Sequence, residues 1–214
     1  MPNTDQIRCR LCLVTPADID ADAFRPLLDA ALGAGDVASL IVTGGPHDLQ
    51  ATAEALVPVA QTHNVAALVL NDTRVAGRSR ADGVHVDTGP TDIKAAIEAF
   101  RPDKIVGAGG IRSRHEAMTI GEADPDYLFF GRLDGDNNAG IFPKALDLAA
   151  WWSSMFVVPA MVMGGSSLDS VAEAAAAGIE FVALRNAIWE HPSGPALAVR
   201  EANRLLDATG REAA

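Results

Sequence analysis

Asn71 and Asp72 directly follow the apolar run Ala66-Ala67-Leu68-Val69-Leu70. A buried strand that stops at an amide and a carboxylate presents both groups to whatever lies over the strand's end. An acid in that place can hold a hard cation, and the amide can orient what the cation binds. The plainer reading is structural, since Asn and Asp are favoured helix N-caps. A second constellation is Gly164-Gly165-Ser166-Ser167, just before a helical pattern that begins near Leu168. Glycines let a phosphate approach the backbone, and free N–H groups at a helix start donate to it. Arg185 and Asn186 follow the next apolar run and could add donors; the plainer reading is a turn with a Ser cap. Asp72 with Asp87 or Asp92 could supply carboxylates on adjacent loops, and Mg²⁺ takes one or two carboxylates plus phosphate oxygens. The expected chemistry is a metal on one side, an anion cradle opposite, and a phosphorylated small molecule between.

Other chemically capable residues carry less. Gly109-Gly110 serves either a turn or a close backbone approach. His85 lies within an apolar run and reads as a satisfied structural residue rather than a base. His47 and His115 read as solvated or helix-capping. Cys9 and Cys12 have C-x-x-C spacing but sit in a strand-like run, Arg8 to Val14. Residues three apart on a strand point to opposite faces, so the thiols should diverge and act as small hydrophobes. No His/Cys group has zinc-ligand spacing, and no Ser-His-Asp arrangement is defensible.

These residues fall at the ends of a repeating pattern of short apolar runs and amphipathic segments. Strands are predicted over Leu11–Thr15, Val37–Thr43, Ala66–Leu70, Gly83–Val86, Lys104–Ala108, Tyr127–Phe130, Phe156–Met163 and Ile179–Leu184. Helices are predicted over Ala21–Leu32, Asp48–Thr62, Thr73–Ser79, Thr91–Phe100, Ser113–Gly121, Pro143–Trp152, Leu168–Ala177 and Pro195–Thr209. Near-continuous apolar strands alternating with helices imply a parallel sheet covered by helices. Eight such units favour a closed (β/α)8 TIM barrel, whose chemistry sits on the loops after the strands. No GxGxxG follows the first strand, so the dinucleotide fingerprint is absent. The chain is expected to be one domain over 1–214, with 1–7 and 208–214 as loosely held tails.

Bulk properties bound the partners. The 214 residues suit one α/β domain, and 49% hydrophobic content supports a sizeable core. A formal net charge of −11 with no Lys/Arg cluster argues against nucleic acid and anionic membranes. Small anions remain open, because local donors can outweigh the global charge. Met1–Gln6 is polar and lacks a signal-peptide core, and no apolar run is long enough to cross a bilayer. The expected location is the cytoplasm, and assembly into a homo-oligomer is left open.

The order of these motifs resembles the thiamine phosphate synthase superfamily, which includes a thiazole tautomerase branch. Leu70-Asn71-Asp72, Ala81-Asp82-Gly83-Val84-His85-Val86, Asp126-Tyr127 followed by Gly131, Gly164-Gly165, and Val182-Ala183 leading to Ala187-Ile188 carry the likeness. It covers almost the whole chain, from Leu11 to Ile188. The family joins a hydroxymethylpyrimidine pyrophosphate to a thiazole phosphate, and pyrophosphate leaves with Mg²⁺ assistance. The resemblance implies that Asn71 binds pyrophosphate and that Asp72, with Asp92 as a second acid, binds Mg²⁺. It implies that Gly109, Lys144, Gly164, Gly165, Arg185 and Asn186 contact substrate phosphates.

The departures are specific. The family's Gln-x-Arg-x-Lys at the second strand end is replaced by Leu40-Ile41-Val42-Thr43-Gly44, and its Gly-Gln-x-Asp by Asp87-Thr88-Gly89-Pro90. Its Ser after the fifth strand aligns with Gly109, and its last-loop Ser with Asn186. The Thr-x-Thr-Lys of the sixth loop is absent, and the tautomerase His is Arg132. Arg74, Arg112, Arg132 or Lys144 could replace the missing cations. The alternative is a barrel of the same family that binds a phosphorylated ligand or a protein partner without turnover. An isomerase or aldolase barrel fits less well, since no strand-end Lys on the sixth strand or placed Glu base is present.

Overall fold

A computed structural model describes residues 8–45 and 48–212 of the chain. His47 and the segment 1–7 therefore lie outside the described residues. The strands are β1 (Arg10–Val14), β2 (Val37–Val42), β3 (Ala66–Leu70), β4 (Gly83–Val86), β5 (Ile105–Ile111), β6 (Tyr127–Phe130), β7 (Ala160–Met163) and β8 (Phe181–Leu184). The helices are α1 (Ala21–Leu32), α2 (Leu49–Thr62), α3 (Thr73–Arg78), α4 (Pro90–Phe100), α5 (Arg114–Gly121), α6 (Pro143–Met155), α7 (Ser170–Ala176), α8 (Asn186–Trp189) and α9 (Pro195–Glu212). All neighbouring strands pair in parallel, and β8 closes on β1, so the sheet is a closed barrel in sequence order.

Strand alternation sorts side chains into two cores. Leu11 and Leu13 face outward into the layer between sheet and helices, while Cys12 and Val14 face the barrel interior. The same rule separates the cysteines: Cys9 packs in the outer layer and Cys12 in the inner one. Burial pushes both thiols up to about 12, which makes them packing groups rather than nucleophiles.

The interior also explains a glycine. His85, Gly107 and Tyr127 stand abreast on β4, β5 and β6. A Cβ on Gly107 would lie 2.0 Å from Tyr127 Cζ. Its absence lets the Tyr127 hydroxyl reach across to His85 Nδ1 at 2.8 Å.

Several boundaries depart from the sequence reading. β5 runs on through Gly109-Gly110 to Ile111, with a register shift against β6 between Ala108 and Ile111. β7 starts at Ala160 rather than Phe156, and Val157 is 99% exposed. Apolar character alone extended that strand too far; the chain there instead wraps the end of α6, where Trp152 Nε1–H donates to Val158 C=O at 2.7 Å. A short helix, α8, follows β8 and was not foreseen. Among the described residues, no helix is long and apolar enough to cross a membrane.

Candidate active site

A cavity of about 800 Å³ opens over the C-terminal ends of the strands. Its floor is the top layer of the barrel, where Val14, Leu70, Asp87, Met163 and Arg185 meet. Thr15 and Thr43 brace that floor across β1 and β2. Thr43 N–H donates to Thr15 Oγ1 at 2.9 Å, and Thr43 Oγ1 donates to Thr15 C=O at 2.8 Å. The walls come from Ile111 and Arg112 after β5, residues 131–135 after β6, and Phe142, Lys144 and Leu148 leading into and along α6. An apolar cavity with a few converging charged groups is the usual form of a small-molecule site.

The β5 bulge aims Arg112 at this space. Gly110 has φ +75, and a Cβ there would lie 2.6 Å from Asp87 C=O, so only glycine allows β4 and β5 to end this close together. Below the bulge, Ser113 caps α5 by accepting from Glu116 N–H at 3.2 Å. Glu116 in turn accepts from Arg112 N–H at 2.7 Å, which fixes the backbone from which the arginine projects. Lys144 stands in the first turn of α6, set there by Pro143 at the helix start.

Asn71 and Asp72 divide the two roles expected of them. Asp72 is the N-cap of α3, and its Oδ1 accepts from Arg74 and Val75 N–H, both at 2.9 Å. Asn71 sits at φ 56, a left-handed conformation that Asn tolerates. There it clasps Asp87: Nδ2–H donates to Asp87 Oδ1 at 2.7 Å, and Asp87 N–H donates to Asn71 Oδ1 at 2.9 Å. Of these three residues, only Asp87 lines the cavity. Asp92 lies in the exposed first turn of α4, away from the cavity wall. Of the acids expected at the site, the one that the structure brings to the cavity is thus Asp87, held by Asn71. Among the described residues, no group of three or more His, Cys, Asp or Glu is placed to hold a metal ion by itself.

At the expected phosphate cradle, the donors are already in use. Ser166 N–H donates to Asn138 C=O at 2.8 Å, and Ser167 N–H to Ala139 C=O at 3.1 Å. Arg185 pairs with the buried Asp136, and Asn186 N–H donates to the same carboxylate at 2.8 Å. Gly164, Gly165 and Asn186 lie behind this layer rather than on the cavity wall, while Lys144 and Arg185 do line it. Gly109 is buried beneath the cavity and packs against His85.

The cations are unequal. Arg132 is engaged by Asp134 at 2.9 Å, and this pairing lowers the Asp134 pKa through its hydrogen bond to the guanidinium. Arg185 is engaged by Asp136. Among the described residues, Arg112 and Lys144 line the cavity with no carboxylate in ion-pair contact. Arg74 is exposed and is not on the wall.

His85 is fully buried beneath the floor, and its Nε2 has no hydrogen-bond partner. Burial lowers its pKa to about 4, with Asp87 opposing the shift. A neutral imidazole results at physiological pH, sealed from the cavity. The structural role read for it in the sequence agrees with this burial, but the ring is satisfied only at Nδ1, by Tyr127.

Sequence reasoning missed four contributors. Thr15 and Ala17, after β1, carry no charge to mark them. Phe142 reads as an ordinary apolar residue until α6 is seen to begin beside the cavity. Asp136 was one acid in a polar loop, and nothing in its neighbours signals that it alone is buried.

The sequence profile of the thiamine monophosphate synthase family matches residues 11–188. The thiamine-phosphate synthase of Hyphomonas neptunium is 37% identical over 209 residues, covering 94% of this chain and 95% of its own. That of Rhodospirillum centenum is 37% identical over 204 residues, covering 92% and 98%. Among solved structures, the thiamine phosphate pyrophosphorylase of Pyrococcus furiosus superposes with a TM-score of 0.73 at 20% identity, over 95% of this chain and 98% of that one. That last likeness speaks for the fold alone. Together with the barrel and its mouth, the profile match and the full-length relatives establish that the chain belongs to the thiamine monophosphate synthase family.

Proposed function

We propose that this protein is a thiamine-phosphate synthase of thiamine biosynthesis. It joins a hydroxymethylpyrimidine pyrophosphate to a thiazole phosphate and releases pyrophosphate, acting in the cytoplasm. The observation that carries this reading is the cavity of about 800 Å³, which pairs an apolar body with two unpaired cations and one carboxylate, Asp87, outside any ion pair. The two heterocycles fill the apolar part, against Leu70, Leu133, Phe142 and Met163. Arg112 and Lys144 bind the pyrophosphate and replace the cations that the β2 end lacks. They stabilise negative charge that grows on the leaving group as the carbon–oxygen bond to the pyrimidine methylene breaks. The thiazole nitrogen then attacks that carbon with its lone pair, so no side chain needs to move a proton. A buried, neutral His85 is consistent with chemistry that needs no base at the floor.

The donor set fits Mg²⁺. Asp87 has one oxygen held by Asn71, and Mg²⁺ needs few protein ligands when substrate phosphates and water complete its shell. Asp87 would hold the ion, with Asp72 and Asp92 as more distant acids. When bound, the ion neutralises charge on the leaving pyrophosphate. Asn71 orients Asp87, with Gly109 packed beside that acid, and Arg185, Asn186, Gly164 and Gly165 form the subsite for the thiazole phosphate.

The test is direct. Purified protein is incubated with both substrates and Mg²⁺, and thiamine phosphate is quantified by fluorescence after oxidation. Turnover that requires Mg²⁺ supports the reading. Thiazole phosphate binding without product would instead support the non-catalytic alternative, which the occupied state of the β7 and β8 donors favours. No binding of either substrate would reject both.

A further inference from the structure

The loop between β6 and α6 fills the anion subsite with the protein's own groups. Asp136 is fully buried at its side chain, and its Oδ1 accepts from Arg185 Nη2 at 2.5 Å. Its Oδ2 accepts from Asn186 N–H at 2.8 Å and from Arg185 Nε at 3.4 Å. Two carboxylate oxygens on a guanidinium fork plus a backbone N–H reproduce the acceptor pattern of two phosphate oxygens. The flanking carbonyls of Asn138 and Ala139 take the Ser166 and Ser167 N–H groups. Glu173 on α7 accepts from Ile141 N–H at 3.0 Å and fastens the end of the loop. Gly165 makes room for it all, since a Cβ there would stand 2.0 Å from Ala139 C=O.

We propose that Asp136 is an internal occupant of the anion subsite and a specificity-determining residue for the phosphorylated end of the ligand. A phosphate gains Arg185 and the Asn186 N–H only by displacing this carboxylate. The residue therefore sets how tightly the protein holds a phosphorylated thiazole. It does not set affinity for the pyrimidine pyrophosphate, whose charge meets Arg112 and Lys144. The identity of the ligand rests on the joining reaction proposed above; the anion chemistry does not.

The experiment uses inorganic phosphate as the probe, which needs neither heterocycle. Asp136→Asn removes the charge but keeps the volume and an acceptor for Asn186 N–H. Titration calorimetry should show phosphate bound at least about tenfold more tightly by this variant than by the native protein. The gain should vanish in the double variant Asp136→Asn/Arg185→Gln. Equal or weaker phosphate binding by Asp136→Asn would overturn the proposal. If that variant folds poorly, its refolding yield is compared in phosphate and in chloride at equal ionic strength. Rescue by phosphate supports the proposal, and equal yields overturn it. Phosphate binding as expected without any thiamine phosphate formation would leave this inference standing and remove the joining reaction.

Discussion

Replacing Arg112 by Gln and Lys144 by Met, singly and together, tests where the leaving group is held. Both side chains line the cavity, and both are largely solvent-exposed. A hydrogen bond to a charged group contributes about 1.5–3 kcal/mol. Exposure screens such bonds, so the lower end applies, roughly 1.5 kcal/mol for each cation. At about 1.4 kcal/mol per factor of ten, each single variant should lose roughly tenfold in kcat/KM. The pair acts on one pyrophosphate, so the double variant should lose about a hundredfold, with deviation from that product measuring their coupling. Arg132 is already bound by Asp134 at 2.9 Å, so Arg132→Gln should cost less than either. Arg74→Gln, exposed and off the cavity wall, is the control. The assay is steady-state thiamine phosphate formation with pyrimidine pyrophosphate varied at saturating thiazole phosphate and Mg²⁺. The reasoning fails if Arg112→Gln and Lys144→Met both stay within about twofold of native, or if Arg74→Gln falls as far as they do.

Three further outcomes are expected. Asp87→Asn should raise the Mg²⁺ concentration for half-maximal rate by about tenfold or more, since the cavity offers no second wall carboxylate as free to bind it; an unchanged Mg²⁺ requirement would remove Asp87 as a ligand. His85 is neutral in the fold, with its pKa lowered from 6.5 to about 4, so its contribution to stability is complete above pH 6.5 and is lost as pH falls towards 4. That loss reaches up to about 3 kcal/mol, and His85→Gln should flatten the fall in Tm between pH 6.5 and 4; equal slopes would show that His85 does not carry the effect. Gly165→Ala should destabilise by about 1–3 kcal/mol, because its Cβ would stand 2.0 Å from Ala139 C=O, and a chemical melt matching the native one would mean that the loop yields freely.

Much of the barrel was legible because continuous apolar strand runs and helical amphipathicity are local properties. β3, β4 and β6 have the predicted limits, and α1 ends at Gly33 as read. The errors fall where a tertiary contact overrides the local pattern. Phe156-Val157-Val158 is as apolar as a strand, yet it wraps α6 because Trp152 takes the Val158 carbonyl. Gly109-Gly110 reads as a turn or a close backbone approach beyond the strand; the approach is made, but within β5, whose bulge carries Arg112 to the cavity.

By itself, the sequence determined the eight-fold strand–helix repeat, the strand-end position of the polar residues, and the resemblance to a family. Those follow from residue order, because every strand of a parallel barrel ends on the same face. Tertiary structure alone decided which polar groups are free. Asp72 spends an oxygen on the α3 cap while Asn71 turns to hold Asp87, a residue sixteen positions away. Arg185 looks like a ligand cation until Asp136, forty-nine positions away, is found buried against it. Arg112 and Lys144 are two of four candidate cations in the sequence, and only the fold shows that, among the described residues, they line the cavity without a carboxylate partner. Hydrogen-bond capacity is finite and is shared among groups distant in the chain, so its remainder, which is what a ligand meets, exists only in the folded molecule.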